Sequence, residues 1–291
     1  MSPADGNSCG GCSVLAVIPA RFASSRFPGK PLALLRGIPV IAWVLDAVKK
    51  AKLVNRVLVA TDSIDIANEI KSRGGLACMT SSRCKSGTER VVEAVNNYYR
   101  QQQTQDWNQL RVVVNVQGDE PAVQPEHIDI AVQSLLLSPD DSQNISISTL
   151  ATPFQSEEEW KNPDNVKVVC NSQHEALYFS RSPIPFFHQD AKVTFPHTFY
   201  LRHVVRIAST QKMFLVLIPY EGIYAFRKSF IQQIPQLTTS PLESLERLEQ
   251  LTWIYHQKKI RVHLVPHAWR GVDRPQDLAF LEKHLPSNQH S

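Results

Sequence analysis

The chain has 291 residues, 43% hydrophobic and 20% charged, enough to bury one large core or a core with a smaller lobe. Its 31 Lys and Arg against 27 Asp and Glu leave a net charge of +4, and no basic face interleaved with aromatics stands out, which argues against nucleic acid as a partner. The longest apolar stretch, near Met213–Ile218, is too short to cross a bilayer, so a membrane is not an expected partner either.

Residues 1–12 carry no charged segment followed by an apolar one, so no secretion signal is expected. The five cysteines, Cys9, Cys12, Cys78, Cys84 and Cys170, are odd in number and predict reduced thiols in a cytoplasmic protein. Cys9 and Cys12 form a C-x-x-C with no second pair to complete a zinc site. They sit in a Gly/Ser/Asn-rich start that reads as a disordered tail over 1–12.

Val14-Leu15-Ala16-Val17-Ile18 is short, apolar and β-branched, the mark of a buried strand, and Pro19 ends it. The loop that follows holds Arg21, Arg26 and Lys30 among the small residues Ala20, Ala23, Ser24, Ser25 and Gly29. Small residues let a backbone approach an anion, and the cations supply counter-charge. It is not a Walker A loop, because Pro31 follows Lys30 and the second glycine is absent. A helix is predicted from Pro39 to Ala51, a strand over Val54–Thr61, a helix over Ile64–Ser72 stopped by Gly74-Gly75, and a strand over Leu76–Thr80. This alternation predicts βαβ units and a parallel sheet.

Ser86-Gly87-Thr88-Glu89-Arg90 enters another helix, with Thr88 as a candidate cap. The strand Arg111–Val116 runs into Gln117-Gly118-Asp119-Glu120-Pro121, and a carboxylate just past a central strand faces the same crevice as the first loop. Asp119 could ligate Mg²⁺ there. A helix around Ile128–Leu135 and a strand over Ile145–Ala151 follow, and Glu157-Glu158-Glu159 reads as a solvated helix face. Val166–Cys170 and Ala176–Phe179 predict a hairpin, followed by Ser180-Arg181-Ser182-Pro183-Ile184-Pro185. Physically, the Arg181 guanidinium can clamp a carboxylate with two parallel hydrogen bonds. Ser240-Pro241 opens a helix with the stripe Leu242, Leu245, Leu248, Leu251 and Ile254. Arg261–Val265 is a last strand, and Asp273-Arg274-Pro275 starts a last helix with Asp273 as its expected cap.

These stretches recur in the order of a known family. Ile18-Pro19-Ala20-Arg21 through Pro28-Gly29-Lys30-Pro31-Leu32, Ser86–Arg90, Asn115–Pro121, Ala176–Pro185, Gly222-Ile223-Tyr224-Ala225-Phe226-Arg227, Glu249-Gln250-Leu251 and Gly271–Leu278 resemble the motifs of the 3-deoxy-manno-octulosonate (KDO) cytidylyltransferases. The resemblance covers residues 14 to 284 and departs at Arg274, where the family carries Thr, and at Val204–Glu221. That segment separates Leu201-Arg202-His203 from Gly222 where the family runs straight on.

The resemblance implies a nucleotidyltransferase-type α/β three-layer sandwich with a mostly parallel sheet and a smaller β-rich lobe for sugar binding and dimerisation. The catalytic domain is expected over 13–286, the lobe over about 150–235 with an unusual insertion at 204–221, and a tail over 287–291. It implies CMP transfer from CTP to KDO with Mg²⁺, for lipopolysaccharide synthesis, by a homodimer. In that reading Arg21, Lys30, Asp119 and Asp273 are catalytic, and Asp119 and Asp273 hold the metal. Ala20, Arg21, Lys30, Ser86, Gly87, Thr88, Gln117 and Gly118 bind the nucleotide. Arg181, His203, Tyr224, Glu249 and Gln250 bind the sugar. A cytidylyltransferase for another acidic sugar, such as a nonulosonate, and an inactive nucleotide-binding relative remain as alternatives.

Overall fold

A computed structural model describes residues 13–23, 27–102, 106–137, 145–188, 199–200, 214–215, 222–266 and 271–285. The elements in the first half are β1 (Val14–Ala20), β2 (Leu34–Leu35), β3 (Ile38–Pro39), α1 (Val40–Lys50), β4 (Arg56–Thr61), α2 (Ile64–Ser72), β5 (Leu76–Met79), α3 (Gly87–Gln102), α4 (Asp106–Gln109), β6 (Val112–Val116) and α5 (Pro125–Leu137). The second half contributes β7 (Ile145–Ala151), α6 (Glu157–Lys161), β8 (Lys167–Cys170), β9 (Ala176–Ser180), β10 (Phe199–Tyr200), β11 (Phe214–Leu215), β12 (Ile223–Arg227), α7 (Lys228–Gln233), α8 (Pro241–Glu246), α9 (Gln250–Tyr255), β13 (Lys259–Leu264) and α10 (Pro275–His284).

Seven strands form the main sheet in the order β13-β7-β12-β6-β1-β4-β5. All neighbours are parallel except β12, which runs antiparallel to both β6 and β7. Every residue of β1 is buried, because strands of a parallel sheet are covered on both faces. Its side chains alternate between two cores. Leu15 and Val17 join Val91 and Val95 of α3, Phe230 of α7, Leu251 of α9 and Phe179 of the β8–β9 pair. Val14, Ala16 and Ile18 join Ile41 and Val44 of α1, Ile66 and Ile70 of α2, and Ile128 of α5. The result is the expected three-layer α/β sandwich.

A third, smaller core docks α10 beside the loop after β1. Leu281, Leu285 and Val272 pack on Leu35, Val40 and Trp43. The Arg36 guanidinium fastens this helix end through hydrogen bonds to the carbonyls of Glu282 at 3.0 Å and Leu285 at 2.5 Å.

Several expectations are corrected. The segment 150–235 does not stand wholly apart, because β12 lies in the middle of the main sheet between β6 and β7. The β-rich structure described outside that sheet consists of the antiparallel pairs β8–β9 and β10–β11, with the two-residue pair β2–β3 near the first loop. The Val204–Glu221 segment does contribute a strand, since Phe214–Leu215 pairs with Phe199–Tyr200. The rest of it, with His203, lies outside the described residues, as do Cys9, Cys12 and Arg26.

The helix expected from Ser240 onward is two short helices. Ser240 caps α8 by accepting from the Glu243 backbone N–H at 3.1 Å, but Arg247 then takes a left-handed φ of 58° and ends it. The apolar stripe is therefore broken, and Leu245 is left exposed while Leu251 is fully buried. Asp273 does not cap α10. Arg274 holds the cap position, and the Asp277 carboxylate accepts from the backbone N–H groups of Asp273 at 2.8 Å and Arg274 at 2.7 Å. Nor does Thr88 cap α3, because the Ser86 hydroxyl accepts from the Glu89 backbone N–H at 3.1 Å instead. Both displaced residues keep their side chains for other work.

Candidate active site

The chain passes from β1 outward to β4 and β5, then returns to place β6 on the other side of β1. The order of strands reverses between β1 and β6, the point at which open α/β sheets form a ligand crevice beyond their carboxyl ends. A cleft of about 460 Å³ lies there. It is lined by Ala20, Arg21, Lys30, Ser86, Gly87, Gln117, Gly118, Asp119, Arg181 and Asp273 from the expected set.

The floor is built by close backbone approach. The Gly118 N–H donates to the Pro19 carbonyl at 3.3 Å, and a Cβ on Gly118 would stand 2.8 Å from that same oxygen. Only glycine lets the loops after β1 and β6 meet so closely. Gly29 takes a φ of 70° and turns the first loop into the one-turn helix Lys30–Leu32. This aims the nearly buried Lys30 at the carboxylates. Its ammonium stands 2.5 Å from Asp119 Oδ2 and 3.6 Å from Asp273 Oδ1. The backbone itself joins the two acids, since the Val272 N–H donates to the Asp119 carbonyl at 2.8 Å.

Two carboxylates thus converge on one cation at the mouth of the cleft. Hard oxygen donors of this kind suit Mg²⁺, which commonly takes one or two carboxylates and completes its shell with substrate phosphates and water. Among the described residues no cluster of three or more His, Cys, Asp or Glu gathers to hold a metal by itself. The donor set therefore fits a metal that arrives with a phosphate ligand rather than one caged by protein alone.

Three charged residues of the cleft were not among the expected site residues: Arg90, Lys85 and Asp164. Arg90 was visible inside the Ser86–Arg90 motif, but its partners were not. Its guanidinium bonds Thr80 Oγ1 at 2.7 Å and pairs with Asp62 at 3.0 Å, and Asp62 also accepts from the Phe22 backbone N–H at 3.1 Å. One ion pair thereby ties the start of α3 to the cationic loop. Lys85 carries no local signal beyond standing next to the Ser86–Arg90 motif, and Asp164 carries none. Cys84 also borders the cleft, but burial, then its hydrogen bond to Glu93, push its thiol up to about 11, so it is not a nucleophile near neutral pH.

Arg181 enters from the end of β9 and is held along its length. Its backbone N–H donates to the Glu246 carboxylate at 2.9 Å, its Nε to the Glu246 carbonyl at 3.0 Å and its Nη1 to the Pro163 carbonyl at 3.1 Å. The turn at Arg247 presents that Glu246 carbonyl, so the helix break serves the site.

Of the other expected sugar-side residues, Tyr224, Glu249 and Gln250 are described and do not line the cleft. Tyr224 is fully buried in the core, stacked on Phe226 and edge-on to Trp253, where it supports the sheet. Gln250 is buried at the start of α9. Thr88, also nearly buried, donates from Oγ1 to Glu249 Oε1 at 2.6 Å, which links the nucleotide-side motif to the lobe-side helix.

Burial pushes the Glu249 carboxyl above its ordinary value near 4.5, against the pull of hydrogen bonds from Thr88 and Ser86. The folded state therefore takes up this proton at higher pH than the unfolded chain. The stabilising contribution is complete below about 4.5 and is lost as pH rises through the raised value. Glu249→Gln, neutral throughout, is expected to raise the melting temperature relative to the parent most at pH 7–8, with the gap closing toward pH 4.5. A gap that stays constant across that range in thermal melts would contradict the assignment.

A family model described as cytidylyltransferase matches residues 15–260. The 3-deoxy-manno-octulosonate cytidylyltransferase of Thermodesulfovibrio yellowstonii is 38% identical over 272 residues, 93% of this chain and 97% of that protein. The enzyme of the same name from Photorhabdus laumondii subsp. laumondii is 39% identical, covering 92% of this chain and 96% of its own length. In three dimensions the chain resembles CMP:2-keto-3-deoxy-manno-octonic acid synthetase complexed with CTP. The TM-score is 0.74 at 33% identity, covering 93% of this chain and 97% of that one. With its cleft, its paired carboxylates and this likeness along nearly the whole length, the chain belongs to the cytidylyltransferase family and, within it, to the 3-deoxy-manno-octulosonate cytidylyltransferases.

Proposed function

We propose that this protein transfers CMP from CTP to the anomeric hydroxyl of 3-deoxy-manno-octulosonate, releasing pyrophosphate. The observation that carries this reading is the convergence of Asp119 and Asp273 on Lys30 in a cleft that also holds Arg21, Arg90 and Arg181. The solved relative that the chain resembles was determined with CTP, and the curated relatives are named for this sugar acid.

The reaction is a direct displacement. The anomeric oxygen attacks the α-phosphorus, the bond to the bridging oxygen breaks, pyrophosphate leaves with its electron pair, and the hydroxyl proton is released to solvent. Negative charge grows on the bridging and pyrophosphate oxygens. Arg21 and Lys30 are the cations at hand to stabilise it: Gly29 sets the turn that leads into Lys30, and the Asp62 carboxylate accepts from the Phe22 backbone N–H beside Arg21. Mg²⁺, held by Asp119 and Asp273, would supply further counter-charge to the triphosphate oxygens. Once phosphates enter, the Lys30 ammonium can turn from the carboxylates to the anion.

Ser86 and Gly87 at the start of α3, with Gln117 and Gly118 after β6, offer the polar and small surface suited to the nucleoside. Arg181 lies in the same cleft, where it can clamp the sugar carboxylate. The reading extends to a cytoplasmic homodimer serving lipopolysaccharide synthesis. The free thiols of Cys78, Cys84 and Cys170 support a reducing compartment. Leu177 of β9, Leu245 of α8 and Phe186 nearby are exposed apolar side chains on the elements next to Arg181, which supports a subunit contact there.

Pyrophosphate release should be seen with CTP, Mg²⁺ and 3-deoxy-manno-octulosonate, and not with N-acetylneuraminate in its place. Release only with the latter would move the protein to a different acidic sugar, and release with neither would refute the activity. Arg181→Ala should raise the KM for the sugar acid roughly 10- to 100-fold and leave that for CTP nearly unchanged, as loss of a charge-assisted clamp requires. Equal changes in both constants would remove the clamp.

A further inference from the structure

Lys167 opens β8, yet its side chain is fully buried. Lysine is almost never enclosed unless paired. Here the ammonium donates to two backbone carbonyls, that of Asn162 at 2.6 Å and that of Arg181 at 2.8 Å, and among the described residues no carboxylate forms an ion pair with it. Two carbonyls only partly offset the loss of water around a charge. An apolar side chain of similar length would avoid that loss but would leave both carbonyls without this donor, so what the lysine contributes is the joining of these two pieces of backbone.

The two carbonyls belong to the two pieces of backbone that fix Arg181. Asn162 begins the turn whose next residue, Pro163, offers its carbonyl to Arg181 Nη1. Arg181 continues from Ser180, which pairs with Lys167 across the hairpin. Lys167 therefore spans from the turn that receives the guanidinium tip to the backbone from which the guanidinium departs. On the opposite side Glu246 takes the Arg181 N–H and Nε, and its carboxylate also accepts from Ser180 Oγ at 2.6 Å. Burial, and secondarily the Arg181 charge, push the Lys167 ammonium down to about 8, while Glu246 opposes this. Two cations are thus held near each other, Lys167 by the carbonyls of Asn162 and Arg181, and the Arg181 guanidinium by those of Pro163 and Glu246.

We propose that Lys167 is a positioning residue of the acidic-sugar site: by clasping the carbonyls of Asn162 and Arg181, it sets where the Arg181 guanidinium stands. This rests on Arg181 acting as the carboxylate clamp, and the test separates the two ideas.

Steady-state constants for both substrates would be measured for Lys167→Met, Lys167→Gln, Arg181→Ala and the double variant Lys167→Met/Arg181→Ala, with thermal melts alongside. Lys167→Met should raise the sugar-acid KM roughly 10- to 100-fold, the scale of a misplaced binding group. The CTP KM should stay within about 2-fold, the spread expected of independent sites. Lys167→Gln, one carbon too short to reach both carbonyls, should follow the same pattern to a smaller extent, and it carries the comparison if the Met variant does not fold. Because Lys167 acts through Arg181, adding Lys167→Met (or Lys167→Gln) to Arg181→Ala should change the sugar KM by less than about 2-fold. Unchanged sugar KM in the single Lys167 variants, or full additivity in the double variant, would overturn the inference while the clamp stands. No rise in sugar KM for Arg181→Ala would overturn the clamp and the inference with it.

Discussion

The site depends on one cluster of opposite charges, Lys30 between Asp119 and Asp273. Each member comes from a different part of the chain: the loop after β1, the loop after β6 and the approach to α10. The fold can be understood as the means of bringing these three together. The parallel pairing of β1 with β6 sets two of the loops side by side, and Gly118 lets their backbones touch. The small core of Leu35, Trp43, Val272 and Leu281 sets the third. An isolated salt bridge at a cleft mouth adds little to stability. Its value here is placement, since it holds one lysine and two carboxylates from three parts of the chain at one end of the cleft.

A second set of contacts ties the elements around the cleft together. Thr88 of α3 reaches Glu249 at the start of α9, Arg90 of α3 reaches Asp62 after β4, and Glu246 of α8 grips Arg181 at the end of β9. The buried ions in this network, Arg90 with Asp62 and Lys167 with its two carbonyls, specify geometry where apolar side chains of the same volume would only fill space.

Much of this was legible in the sequence for physical reasons. Strands buried on both faces leave largely apolar runs, so β1 and β6 announced themselves, and the loops at their carboxyl ends carried the charged motifs. Ten of the expected site residues share one cleft. What could not be read was decided by tertiary contact. Leu242 to Ile254 kept a helical period straight through Arg247, and no Gly or Pro marked the turn there. The capping hydrogen bonds fell to Ser86 at α3 and to Asp277, reaching back to Arg274, at α10 rather than to Thr88 and Asp273, because local geometry within a few residues decides among several candidates in range. The place of β12 inside the main sheet depends on pairing with strands more than 70 residues away, which no local pattern records. Lys167 carries no local signal, because its two carbonyl partners are brought together only by the fold.

The role proposed for Asp119 and Asp273 is to hold a metal ion whose coordination the nucleotide completes. Electron paramagnetic resonance of Mn²⁺ titrated into the protein, with and without CTP, tests it most directly. The account predicts weak binding to the protein alone, a clear gain in bound Mn²⁺ when CTP is present beyond that bound by CTP alone, and loss of that gain in folded Asp119→Asn. Tight binding without CTP, or an undiminished gain in Asp119→Asn, would contradict it.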